Sequence, residues 1–307
     1  MICDQFNNFR IVHAIIFIQT TIFISAESNP LRESGTKNCG YVTQSALIAK
    51  AKILSGEDAV PHEFPWMASI NNVNHGGSHF CGGFIVNSRN IISAAHCFLR
   101  KYNSNLGTYS DEGIALPTSI SVTLGQHDLS PFGDVNTTTI ESISIHPDFE
   151  KGGHLNNDIA ILRTRHPMTW DARLLPICLP GHDTNFEIGH PVTVAGWGNT
   201  NCHNSKIRPS KTLKKVSIPV WKESDCLQAY HDAQYDFTRE DYVCAGDNEK
   251  DSSKGDSGSP LMVLQNDQWT AIGIVSAGRF MCEDRVPGVY TKISSYMDFI
   301  NSQIYLN

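Results

Sequence analysis

An all-β fold is predicted for most of this 307-residue chain. Valine, isoleucine and threonine recur in runs of strand length, and Gly, Pro and Asn interrupt them at close intervals. The length suffices for one large β domain with its own core, or for two half-domains packed on each other. Only 18% of the residues are charged and the net charge is −7, so no basic surface argues for nucleic acid as a partner.

In chain order, the first feature is an apolar run from Ile11 to Ile24, followed by Ser25-Ala26. Arg10 is the only positive side chain ahead of it. The run is short for a bilayer span and small residues follow it, which fits a cleaved secretory signal over residues 1–26. An uncleaved anchor is the alternative, because Asp4 lies in the leading segment. No later segment is apolar enough to cross a bilayer, so no stable membrane insertion is expected. The mature protein is expected outside the cell, under oxidising conditions.

His79–Val86 reads as a strand, and Asn90–Ser93 as a second that leads into His96. A polar loop with Gly and Ser then runs from Cys97 to Leu124, where Ser121–Gly125 resumes the β pattern. Asp158 opens the apolar run Ile159–Leu162, a buried-strand signature. Cys226 to Cys244 encloses a polar, partly helical stretch. Ser294–Leu306 reads as a closing amphipathic helix with Tyr296, Phe299, Ile300 and Ile304 inward. Asn136-Thr137-Thr138 is an Asn-X-Thr acceptor for an N-linked glycan.

Three short motifs carry the chemistry. Gly255-Asp256-Ser257-Gly258-Ser259-Pro260 can turn sharply and present a hydroxyl with little steric cover. The other two are Ser93-Ala94-Ala95-His96-Cys97 and Asn156-Asn157-Asp158-Ile159-Ala160. Singly, a Gly-Ser run is usually a loop, a His after a strand is usually structural, and an Asp before an apolar run is often a turn residue. Together, in the order His, Asp, Ser, they resemble the chymotrypsin-like (trypsin-type) secreted serine proteases from Cys39 to the C-terminus.

That resemblance implies two packed six-stranded antiparallel β-barrels and a C-terminal helix. It implies Ser257 as nucleophile, His96 as proton shuttle, Asp158 as the group orienting His96, and the Gly255 and Ser257 amides as oxyanion hole. No cofactor or metal is implied; Gln126 takes the first place of the loop that holds carboxylates in calcium-binding relatives. Residues 27–52 resemble a propeptide and residues 53–307 the protease domain. Cleavage between Lys52 and Ile53 would free an ammonium to pair with Asp256.

Asp251, six residues before Ser257, stands where trypsin-like relatives select Lys or Arg, with Ser276, Gly278 and Gly288 lining the same pocket. The alternative for Asp251 is a solvated carboxylate in the charged run Asp247–Asp251, which would leave a chymotrypsin-like preference. A further alternative is a catalytically silent homologue that acts as a binding adaptor. The partners implied are protein or peptide substrates, an activating protease and serpin-type inhibitors.

Of nine cysteines, Cys3 leaves with the signal and eight remain. The resemblance implies Cys81–Cys97, Cys226–Cys244 and Cys39–Cys178. It also leads to a hypothesised bond between Cys202 and Cys282, because the usual partner of Cys282 is here Ser253. Tetrahedral zinc is disfavoured, since no CxxC pair occurs. Besides Ser253, the chain departs from its relatives at Ala277, where Trp is usual, and at Ser259, where a second Gly is usual.

Overall fold

The structure, a computed structural model, describes residues 39–42, 57–99, 102–103, 108–109, 115–130, 136–181, 184, 186–199, 209–234, 241–247, 253–278 and 286–305. The first half carries β1 (Glu57–Asp58), β2 (Met67–Asn72), β3 (Ser78–Ile85), β4 (Asn90–Ser93), β5 (Tyr102–Asn103), β6 (Thr108–Tyr109), β7 (Ile120–Leu124), β8 (Asn136–Ile145) and β9 (Ala160–Thr164). The second carries β10 (Pro191–Gly196), β11 (Lys214–Pro219), β12 (Tyr242–Ala245), β13 (Pro260–Gln265), β14 (Gln268–Ala277) and β15 (Gly288–Lys292). Among the described residues two α-helices complete it, α1 (Glu223–Asp232) and α2 (Met297–Ile304). Neither is long and apolar enough to cross a membrane.

Strands β2, β3, β4, β9, β8 and β7 close into a barrel, each antiparallel to its neighbours. Closure leaves no unpaired edge. Phe84, Ile85, Ile91, Ile92, Val122, Leu124 and Ile161 of its strands belong to the buried core and are essentially inaccessible to water. β5 and β6 pair with each other, and the other strands form a seven-stranded sheet in the order β1-β11-β10-β13-β14-β15-β12. It curls until its ends meet: Val220 bridges Ala245, and the Trp221 amide donates to the Cys244 carbonyl at 2.8 Å. Val192, Val194, Ile218, Leu261, Val263, Ile272 and Tyr290 fill it.

The predicted two-barrel architecture is therefore present, with one addition. β1 lies outside the second barrel, pairing Glu57 and Asp58 with Lys215 and Lys214 of β11. A two-residue strand has no periodicity to read, which is why it was not expected. The second half begins at β10, where Pro191 and Val192 pair with Pro219 and Ile218 of β11.

The two halves share a core in which Trp66, Phe64 and Trp269 pack ring against ring at 5.5–6.5 Å. The Trp66 indole N–H lies 3.1 Å from the Met262 sulfur. α2 packs Ile300 fully inward, with Phe299 and Ile304 half-buried beside it; Tyr296, in a 3-10 turn just before, is buried too. Disulfides Cys39–Cys178, Cys81–Cys97 and Cys226–Cys244 are all formed. Cys202 and Cys282, like the 1–26 leader, Lys52, Ile53 and Asp251, lie outside the described residues.

Candidate active site

β4 delivers the chain to Ala94, and a 3-10 turn over Ala95–Phe98 presents His96. Two links pin this turn to β3: the Cys81–Cys97 disulfide and the Ser93 hydroxyl, which donates to the Gly82 carbonyl at 2.8 Å. Cys81, Cys97 and His96 offer ligand atoms within 4.8 Å of one another, yet both sulfurs are consumed by the disulfide and provide no thiolate.

Asp158 comes from the turn-rich segment before β9 and is fully buried. Left-handed backbone at Leu155 and Asn157 (φ 58° and 56°) turns the chain there. The carboxylate accepts from the His96 amide through Oδ1 at 2.9 Å and faces His96 Nδ1 through Oδ2 at 2.7 Å. A carboxylate only accepts, so the ring proton sits on Nδ1 and Nε2 is left as the acceptor. The Ser276 hydroxyl of β14 also donates to Asp158 Oδ2, and the Thr291 hydroxyl of β15 donates to the Asp158 carbonyl at 3.0 Å. The aspartate is thus held from both barrels.

Ser257 is partly exposed and sits in a loop folded back on itself. The Asp256 amide donates to the Ser253 carbonyl and the Ser259 amide to the Asp256 carbonyl, each at 2.9 Å. Gly258 has φ +84°, and a methyl group there would fall 2.2 Å from Ser93 Oγ and 2.4 Å from the Gly82 carbonyl, so only glycine fits. The Gly82 amide donates to the Ser257 carbonyl at 2.8 Å, and the Cys97 sulfur is 3.8 Å from the same oxygen. These contacts bring Ser257 to the His96 turn. Among the described residues, the amides of Gly255 and Ser257 donate to no protein acceptor. Two unpaired N–H groups beside a hydroxyl suit a developing oxyanion.

Asp256 is buried behind this loop. Burial pushes its carboxyl above the usual carboxylate range, against the pull of the Ser253 and Gly198 amides and the Ser253 hydroxyl. His79 of β3 supports the loop from the other barrel: its Nε2 donates to the Gly255 carbonyl at 3.0 Å, and its Nδ1 accepts from the Ser69 hydroxyl at 2.8 Å. Burial holds this ring at a pKa of about 4, so it is neutral at physiological pH.

The structure brings together His96, Asp158, Ser257, Gly255 and Asp256, and places Ser276 with them. The sequence grouped Ser276 with the substrate pocket; its hydroxyl also bonds Asp158. Gly288 opens β15 opposite Ala245, and Gly278 follows β14. His79, Ser69 and Thr291 were not foreseen. Only the position of His79 on a strand two residues before Cys81 gave any signal.

A double barrel with a His–Asp pair and a glycine-flanked serine at its junction defines the chymotrypsin-like serine protease fold. The family model for Trypsin matches residues 53–300, and the chain belongs to the trypsin family of serine proteases. Among its relatives is phenoloxidase-activating factor 1 of Holotrichia diomphalia, 30% identical over 87% of this chain and 72% of that protein. The proclotting enzyme of Tachypleus tridentatus is 33% identical over 81% of this chain, which spans 65% of that relative.

Proposed function

We propose that this chain is a secreted serine endopeptidase, made as a zymogen and cleaving after Arg or Lys. The observation that carries the reading is the buried Asp158 carboxylate, which holds both the amide and Nδ1 of His96 and so presents Nε2 as a base. Ser257 Oγ attacks the peptide carbonyl while His96 Nε2 takes its proton. The Gly255 and Ser257 amides stabilise the resulting oxyanion, and His96 returns the proton to the leaving amine. Water, deprotonated by the same imidazole, then hydrolyses the acyl-enzyme and frees Ser257.

Activation is assigned to cleavage between Lys52 and Ile53, whose new ammonium would compensate the buried Asp256 charge. Residues 1–26 act as the signal and residues 27–52 as the propeptide, which the Cys39–Cys178 bond would keep attached to the enzyme after cleavage. Asp251 selects the basic substrate residue, with Gly278 and Gly288 leaving room for it. Cys202 bonds Cys282, and Asn136, exposed at the start of β8, carries a glycan. The names of the two relatives support an activating protease upstream and a protein substrate in a proteolytic cascade.

The test is hydrolysis of paired chromogenic peptides ending in Arg or Phe, by protein cleaved after Lys52, beside Ser257→Ala. Arg cleavage that vanishes in the variant is expected. Cleavage after Phe alone would remove Asp251 from the pocket. Silence on both peptides, with the Ile53 terminus verified, would leave a non-catalytic adaptor.

A further inference from the structure

The resemblance implies a cysteine where Ser253 stands, and the fold gives the Ser253 hydroxyl another task. Its Oγ donates to the Asn199 carbonyl at 2.6 Å and lies 3.2 Å from Asp256 Oδ2. The Ser253 amide donates to that same carboxylate oxygen at 2.9 Å, and the Gly198 amide donates to Oδ1 at 2.7 Å. The segment after β10 closes tightly over this group. A methyl at Gly198 would fall 2.4 Å from Asp256 Oδ2 and 2.6 Å from Ser253 Oγ. One hydroxyl proton therefore faces two acceptors, a neutral carbonyl on the segment after β10 and a buried carboxylate.

We propose that Ser253 is a positioning residue for the Gly255 and Ser257 amides, its hydroxyl being an exchangeable donor that couples the Gly198-Asn199 segment to Asp256. Asp256 lies between the two amides in sequence, so the way its carboxylate is anchored sets how they point. A buried carboxylate has few donors to draw on, and losing one is felt more than losing a bond between neutral groups. A covalent staple at this position would fix the segment once. A hydroxyl can instead turn toward Asn199 or toward Asp256 as the charge beside that carboxylate changes.

This role rests on the protease reading above, and the experiment separates the two. Cleaved wild type, Ser253→Ala and Ser253→Thr are titrated at Ser257 with a fluorophosphonate, and kcat and KM are measured per labelled site on one ester substrate. The expected result is a loss of about tenfold in kcat for Ser253→Ala with KM within about twofold, because the amides act on the transition state rather than on bound substrate. Ser253 is part-exposed, which leaves room for a γ-methyl, and Ser253→Thr should recover most of the loss. An unchanged kcat in Ser253→Ala, or a rise in KM alone, would overturn the role and reduce Ser253 to pocket wall. Failure of Ser253→Thr to recover kcat would overturn the hydroxyl as its cause. Wild type that takes no label would overturn the protease reading itself, and this role with it.

Discussion

The Ser259 hydroxyl is fully buried and has no hydrogen-bond partner among the described residues. It occupies the space that a side chain on Gly82 would need, since a methyl there would lie 2.1 Å from Ser259 Oγ. A buried hydroxyl that makes no bond carries its desolvation cost uncompensated. Ser259→Ala should therefore stabilise the protein by about 1 kcal/mol, raising Tm by roughly 3 °C in a domain of this size. A lower Tm by calorimetry would mean that the hydroxyl is satisfied after all. The contrast with Ser253 and Ser276 is instructive. In the sequence all three are small residues near a nucleophile motif, and nothing local distinguishes them. Their partners are Asn199 and Asp158, 54 and 118 residues away for the two that have one. The first follows from how the second barrel folds and the second from how the barrels dock, and no window of sequence encodes either.

At the level of elements, strands with clear patterning were legible. His79–Val86, Asn90–Ser93 and the run after Asp158 became β3, β4 and β9. The closing helix is eight residues long, shorter than its apolar pattern, because Ile293–Tyr296 form a 3-10 turn first. The His96–Asp158 pairing was legible because three motifs in a fixed order are jointly specific, whereas β1 was not. That strand owes its place to Lys215, which is nearly inaccessible and lies 2.7 Å from Glu63 and 3.4 Å from Glu57. Glu63 also accepts from the Val60 amide at 2.8 Å. The cluster clamps residues 57–63 onto β11, directly downstream of the bond assigned to activation. Lys215→Met would leave the Glu63 carboxylate without its cation, for an expected loss of about 3 kcal/mol. Adding Glu63→Gln should recover much of it. Urea midpoints of the two variants check this; a single variant as stable as wild type would show that the clamp contributes nothing.

For the whole molecule, the site exists only where the halves meet. His96 and Asp158 arrive from the first barrel, Ser257, Ser276 and Thr291 from the second, and His79 of β3 reaches across to Gly255. Barrel docking and catalytic geometry should therefore fail together, and acid is the condition that reaches this seam. Burial lowers His79 to about 4, from an ordinary value near 6.5. Between those values the unfolded chain binds a proton that the folded chain refuses, so stability rises with pH through the window and falls on acidification. His127 and His146 are lowered as well, both chiefly by burial, and act in the same direction. Asp256 opposes them: raised by burial, it takes up a proton in the folded state first and so offsets part of the loss as pH falls. The His79 contribution is on the order of 3 kcal/mol when fully expressed near pH 4. Urea unfolding from pH 7 to pH 4 should show the decline, and His79→Gln, with no ring to charge, should flatten its slope by close to one proton. An unchanged slope in that variant would place the proton uptake elsewhere and leave the seam indifferent to His79.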